Sequence, residues 1–256
     1  MSPRGKVWFV GAGPGAADLL TLRGARVIAE ADVVIWAGSL VHPDVAARAR
    51  PGAEVIDSSR LTLEQVCAIY GRAAAGGLQV ARVHSGDPTL YSAIGEQITA
   101  CEARGLAWEI VPGVSSLGAA GAAVGRELTA PEVAQSVILT RLAGATPVPA
   151  GEEVRALARH GATMALFLSA KRGRRLQEEL LAGGYPPDTP CAVVYRATWP
   201  DEEVHRCRLA ELARTLREAQ LHKHTLILVG PALGATGARS RLYDPGFSHE
   251  FRPVRA

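Results

Sequence analysis

Aromatic residues are scarce in this chain of 256 residues, at 5%, and among its 28 basic residues only Lys6, Lys171 and Lys223 are lysines. The four cysteines, Cys67, Cys101, Cys191 and Cys207, never stand at C-x-x-C spacing. That removes the zinc-ribbon and thioredoxin-like readings and leaves buried, reduced thiols as the expectation. The seven histidines show no H-E-x-x-H or other metal spacing, and no G-x-S-x-G elbow presents a nucleophilic serine. No apolar run approaches the roughly 18 residues that a membrane span needs. The apolar stretch after Lys6 breaks at Gly11, too early for a signal-peptide core, so a cytoplasmic protein with no membrane partner is expected. Charge of one sign is lacking too. With 28 Lys+Arg against 25 Asp+Glu the net charge is +3, too weak to argue for a nucleic-acid partner but permissive of an anionic small molecule.

What remains is a folded, globular composition: 48% hydrophobic and 21% charged, enough for one large domain or two compact ones. Short apolar runs alternate with amphipathic stretches, the α/β pattern. Strands are expected at 7–10, 33–36, 54–56, 78–83 and 108–111, with helices at 21–30, 63–75 and 92–103 between them. The second half repeats this less regularly, with strands at 137–140, 163–168, 191–195, 203–208 and 225–229. Its helices are expected at 153–160, 174–182 and 210–219. The Pro112-Gly113 turn divides the chain into an N-terminal α/β domain, 1–112, and a C-terminal α/β domain, 113–256, with an extended tail.

Three loops carry the candidate chemistry. The first is Gly11-Ala12-Gly13-Pro14-Gly15, directly after the first strand, where glycines permit a sharp turn and close backbone approach. Gly11, Gly13 and Ala16 fit a dinucleotide fingerprint. Against it, Pro14 lacks an N–H for a pyrophosphate, and the second strand ends V-V-I-W-A-G without a ribose-gripping acid. The second loop is His84-Ser85-Gly86-Asp87-Pro88, at the carboxyl end of an apolar strand where parallel sheets bind ligands. Asp87 can accept hydrogen bonds from a ligand, or serve as a turn or N-cap residue for the next helix. The third is Val111-Pro112-Gly113-Val114-Ser115-Ser116, ahead of an Ala/Gly-rich stretch that either serine can cap as a helix.

Taken together, V-G-A-G-P-G-A-A-D-L-L-T-L-R-G (10–24), H-S-G-D-P-T-L-Y (84–91) and V-P-G-V-S-S (111–116) resemble the tetrapyrrole (corrin/porphyrin) methylase superfamily. The resemblance runs to T-L-I-L-V-G (225–230), similar to the family's last core strand. It implies two α/β domains, the first with a mostly parallel sheet and the second with a mixed one, and an active-site cleft between them. Members that methylate uroporphyrinogen carry Y-D-R-L-V after the second strand; here the stretch is Trp36-Ala37-Gly38-Ser39-Leu40-Val41, without the Asp. A-G-S-L-V, L-T-A-P-E-V-A-Q-S-V-I-L-T-R (128–141) and L-Y-D-P-G-F-S-H (242–249) resemble the branch that methylates precorrin-4 at C11 in cobalamin biosynthesis.

The resemblance implies S-adenosyl-L-methionine as methyl donor, S-adenosylhomocysteine as product, and no metal. It places the donor against Pro14, Gly86, Asp87, Leu90, Ser115, Ser116, Leu168, Ala197 and Thr225, mostly through backbone atoms. It names no catalytic side chain. The implied substrate is the anionic tetrapyrrole precorrin-4, metal-free or cobalt-containing, for whose carboxylates Arg141, Arg172 and Arg196 are candidates. The resemblance further implies a homodimer; the apolar tail residues Leu242, Tyr243, Phe247 and Phe251, set between turn formers, can serve that interface or pack back onto their own chain. Another tetrapyrrole methylase, or a nicotinamide-dependent oxidoreductase using the Gly11 loop, are the alternatives.

Overall fold

The computed structural model describes residues 5–235, 240, 244–248 and 250–252. They form two α/β units. One comprises Met1–Ala119 with Arg196–Glu202, the other Ala120–Tyr195 with Glu203–Ala256. The Pro112-Gly113 turn therefore lies inside the first unit, and seven residues from the second half of the chain belong there too.

The first unit runs β1 (Lys6–Gly11), α1 (Leu22–Glu30), β2 (Val33–Trp36), α2 (Pro43–Ala46), β3 (Glu54–Asp57), α3 (Leu63–Gly76), β4 (Gln79–His84), α4 (Ile94–Glu102) and β5 (Ala107–Val111). All five strands are parallel, in the order β3-β2-β4-β1-β5. The two-residue period of the strands divides their side chains between two layers. Val10, Val34, Ala81 and Val83 pack with Val27 and Ile28 of α1. Val7, Phe9, Val33, Ile35 and Val80 pack with Val66, Ile69 and Tyr70 of α3 and Cys101 of α4. Burying each large side chain contributes roughly 1.5–3 kcal/mol, so the sheet is nearly continuous in Val and Ile.

Capping sets the helix ends. Thr21 accepts from the Gly24 N–H to open α1, and Thr62 and Gln65 form a reciprocal box at the start of α3. The helix expected at 92–103 is shorter, because Tyr91 (φ 55°) and Ala93 (φ 48°) hold the chain in the left-handed region until α4 begins. All five strands expected in this half are present to within two residues.

A helix α5 (Ser116–Ala123) ends the first half. The second unit then follows β6 (Val137–Arg141), α6 (Val154–Ala158), β7 (Thr163–Phe167), α7 (Gly173–Ala182), β8 (Pro190–Tyr195), β9 (Glu203–Arg208), α8 (Leu212–Glu218) and β10 (Thr225–Val229). Its sheet is mixed, ordered β6-β7-β10-β8-β9, with β6 and β7 parallel and the other pairs antiparallel. Met164, Leu166, Val193, Ile227 and Val229 form one core with Leu176 and Leu180 of α7 and Leu212 and Leu216 of α8. The strand expected to reach residue 168 stops at Phe167, since Leu168 turns to φ 51°. In the tail, Phe247 and Phe251 are exposed at their surfaces, while Leu242 and Tyr243 lie outside the described residues. Among the described residues no helix is long and apolar enough to cross a membrane.

Candidate functional site

β1, β4 and β5 are neighbours, so the loops leaving their carboxyl ends emerge side by side. These are the three glycine-bearing loops of the sequence. The first two are joined by backbone hydrogen bonds: Ala12 N–H to the His84 carbonyl (2.8 Å), Gly13 N–H to Gly86 (3.2 Å) and Gly86 N–H to Gly13 (2.7 Å). The third closes on both. A Cβ on Gly11 would lie 2.5 Å from Gly113 Cα, and a Cβ on Gly113 would lie 2.1 Å from the Gly86 carbonyl oxygen. Here glycine is required by backbone-on-backbone approach. Gly86 differs: it is required by its φ of 63° and not by crowding, since a Cβ there would meet only the Ser116 nitrogen, at an ordinary contact distance of 3.9 Å.

Asp87 ties the junction together. One carboxylate oxygen accepts from the Thr89 N–H (2.8 Å) and the Thr89 hydroxyl, and the other accepts from the Gly113 N–H (2.8 Å). Burial raises its pKa, but the hydrogen bonds from Thr89 and Gly113 outweigh that and hold the carboxyl below its ordinary value. Asp87 is thus a turn residue and a loop clamp. It does not cap α4, whose N-cap is Ala93. Leu90 belongs to the same turn, its N–H bonded to the Asp87 carbonyl. Ser115 caps α5 by accepting from the Leu117 N–H at 3.2 Å, and Ser116 is the first residue of that helix.

Sequence reasoning missed the partner of Pro14. The segment Arg196–Glu202 packs on the first loop: Trp199 Nε1 donates to the Pro14 carbonyl (3.2 Å) and Thr198 Oγ1 accepts from the Ala16 N–H (3.0 Å). A Cβ on Gly15 would strike the Trp199 ring at 2.2 Å. Arg196 stacks on that ring with its guanidinium carbon 4.1 Å from the centroid, and His42 sits 5.1 Å away on centroids. Thr198 is left-handed at φ 69°, a costly conformation for a β-branched residue, and its N–H is held by Glu202 at 2.6 Å. Ala197, buried at 8% exposure, lies between these contacts. The only sequence signal was the unusual run A-T-W-P, which no periodicity explains.

The remaining two site residues belong to the second unit. Leu168, 74% exposed at positive φ, is an apolar side chain left uncovered at the end of β7. Thr225 opens β10 opposite Tyr195 and donates its hydroxyl to the Lys223 carbonyl (2.8 Å). Of the three arginines considered for carboxylates, Arg141 and Arg172 donate to carbonyls of the 143–147 loop, and Arg196 pairs with Asp201 at 2.6 Å. Among the described residues no group of three His, Cys, Asp or Glu is placed to hold a metal ion.

Beneath the second loop lies a buried polar cluster. Arg82 Nε and the Tyr70 hydroxyl both donate to Gln97 Oε1, at 3.1 and 2.9 Å, and Arg82 reaches Ser58 Oγ at 2.8 Å. His84, 6% exposed, has its Nε2 buried without a partner. Burial, then the Arg82 charge, pushes its pKa down to about 3 from 6.5. The folded state therefore binds one proton fewer than the unfolded chain between these values, so stability is full above pH 6.5 and falls as pH drops. Among the shifted groups only His84 acts between about pH 6.5 and the carboxylate range near about 4. His84→Phe is expected to remove a slope of about 1.4 kcal/mol per pH unit there. Urea unfolding at stepped pH reads it; an unchanged slope contradicts the assignment.

Comparison with known proteins agrees with this architecture. Residues 6–213 match the family described as Tetrapyrrole (Corrin/Porphyrin) Methylases. A cobalt-precorrin-4 C(11)-methyltransferase of Methanocaldococcus jannaschii is 45% identical over 248 residues, covering 96% of each chain. A precorrin-4 C(11)-methyltransferase of Mycobacterium tuberculosis is 48% identical, covering 90% of this chain and 92% of the relative. Among solved structures, a cobalt precorrin-4 methyltransferase of cobalamin biosynthesis superposes with a TM-score of 0.87 at 44% identity, over 89% of this chain and 95% of that one. A uroporphyrin-III C-methyltransferase of Thermus thermophilus, solved with S-adenosyl homocysteine, gives 0.74 at 30% identity, over 88% and 92%. A parallel sheet, three glycine loops locked at its carboxyl end and a match along most of the sequence lead to one conclusion: the chain belongs to the tetrapyrrole (corrin/porphyrin) methylase family.

Proposed function

We propose that this protein transfers a methyl group from S-adenosyl-L-methionine to C11 of precorrin-4, giving precorrin-5 and S-adenosylhomocysteine in cobalamin biosynthesis. The observation that carries this reading is identity of 45% and 48%, over 96% and 90% of the chain, with relatives named for that reaction. The junction fits a methyl donor. Gly86 leaves the Ser116 nitrogen at the start of α5 uncrowded, and the loops present backbone polar atoms rather than a nucleophile.

The donor site comprises Pro14, Gly86, Asp87, Leu90, Ser115 and Ser116 with Ala197 in the first unit; Leu168 and Thr225, the other two expected donor residues, belong to the second. S-adenosylmethionine supplies the methyl on a sulfonium already activated by its charge, and the tetrapyrrole carbon is enamine-like and nucleophilic. The residues of the site then need only orient the reactants and exclude water. Asp87 and Trp199 hold the loops that do so: one ties the second to the third, the other fixes Pro14 in the first.

Calorimetry with S-adenosylmethionine should show one site per chain, unchanged by a chelator. Loss of binding on chelation, or a preference for NAD, contradicts the reading. Metal-free and cobalt-containing precorrin-4, offered in parallel, identify which form is turned over. We also propose a cytoplasmic homodimer. Light scattering at micromolar concentration is expected to give a mass of about 54 kDa, two chains; about 27 kDa contradicts it.

A further inference from the structure

Two cysteines distant in sequence are opposed in the second sheet. Cys191 on β8 and Cys207 on β9 are direct cross-strand partners. The bond from Leu209 N–H to the Thr189 carbonyl, two residues outward on the same ladder, sets the parity. Cys191 and Cys207 therefore form a hydrogen-bonded type of pair, with Cα atoms about 5.5 Å apart. That is the commonest Cα separation of disulfides. Both side chains face the same core, where the Cys191 thiol donates to the Thr189 carbonyl at 3.6 Å.

The two thiols are not equivalent. Cys191 is 3% exposed on an interior strand, whereas Cys207 is half-buried on β9, at the edge of the sheet. The neighbouring Cys191 thiol lowers the Cys207 pKa by more than burial raises it, so Cys207 is the more readily ionised thiol of the pair. The other cysteines give an internal contrast: Cys101 is wholly buried, and desolvation pushes its thiol up to about 12.

We propose that Cys191 and Cys207 form a reversible thiol modification site, oxidised to an intrachain disulfide by small-molecule disulfides. Cys207 sulfur attacks one sulfur of the reagent; the S–S bond breaks and one thiolate leaves. Cys191 then gives up its proton, and its sulfur displaces the second thiolate from Cys207. Two cysteines are oxidised, one disulfide is reduced to two thiols, and the protons lost by the cysteines pass to the products. Cross-strand Cβ atoms sit about 4.5–5.5 Å apart, wider than the mean of about 3.8 Å in disulfides, so the bond is strained and readily reduced.

The site bears on the donor loop through the chain itself. β8 runs directly into Arg196–Glu202, whose Thr198 and Trp199 hold Ala16 and Pro14, and β9 follows at once. The crosslink closes a loop around that segment and restricts its opening.

The protein, incubated with oxidised glutathione, is expected to fall from four titratable thiols to two. Peptide mass mapping should place the link between Cys191 and Cys207, and dithiothreitol should reverse it. Cys207→Ser should abolish the link, and Cys67→Ala with Cys101→Ala should preserve it. A link between Cys67 and Cys101, a persistent mixed disulfide, or four free thiols overturns the site. In the oxidised protein, hydrogen exchange at the Thr198 and Trp199 amides should slow by roughly tenfold. Unchanged exchange alongside a formed link overturns the coupling to the donor loop.

Discussion

Gly113→Ala is expected to abolish measurable S-adenosylmethionine binding and to destabilise the first unit by about 3 kcal/mol, the upper end of overpacking penalties. The added methyl would meet the Gly86 carbonyl oxygen at 2.1 Å and Gly11 Cα at 2.7 Å. Both are backbone atoms of neighbouring loops, so no side chain can swing aside. The loops must part instead, breaking the Asp87–Gly113 bond and the Gly13–Gly86 pairing that give the junction its shape. Gly71→Ala, at a helix-interior position with open space, is the matched control and should leave donor affinity unchanged while gaining about 0.5–1 kcal/mol of stability. Titration calorimetry and urea unfolding of the two variants read the effects. Normal donor affinity in Gly113→Ala would show that the junction does not form the donor site.

Asp87→Ala is the second large effect. It leaves the Gly113 N–H and the Thr89 turn without their acceptor, and hydrogen bonds to a charged group are worth about 1.5–3 kcal/mol. Donor affinity should fall roughly ten- to a hundredfold. Asp87→Asn separates the two roles. Its amide oxygen can keep the Thr89 turn, but its NH2 faces the Gly113 N–H, donor against donor. If Asp87 acts as the clamp between loops, Asn should bind donor nearly as poorly as Ala. If Asn restores binding, only the local turn matters.

The strands were legible because strands buried on both faces are short apolar runs, and V-W-F-V, V-V-I-W and T-L-I-L-V stand out from their surroundings. The glycine loops were legible for a related reason, since each follows such a run and breaks it sharply. Their mutual contact was not. It depends on the order β4-β1-β5, which no local pattern encodes. Gly11 and Gly113 touch across about a hundred residues only because β1 and β5 pair from Lys6↔Ala107 onward.

The same limit hid Trp199, whose contact with Pro14 spans 185 residues, and the Cys191–Cys207 pair, which cysteine spacing cannot reveal. That pair exists because the turn at 196–202 sets the register of β8 and β9, helped by left-handed residues at Arg196 and Thr198. Helix α4 began later than periodicity suggested because backbone strain at Tyr91 and Ala93 precedes it. Propensity has no view of such strain. The residues sequence reasoning assigned to the donor fall into two sets: those from Pro14 to Ser116, with Ala197, belong to the first unit, whereas Leu168 and Thr225 belong to the second.

The central claim is methyl transfer to one ring carbon, and the most direct measurement is the position of the transferred methyl. The protein is incubated with precorrin-4 and methyl-labelled S-adenosylmethionine, and the product is examined by NMR. The account predicts one labelled methyl per tetrapyrrole, bonded to C11, with S-adenosylhomocysteine formed in equal amount. Label at another ring carbon, or donor consumption that does not depend on precorrin-4, would contradict it.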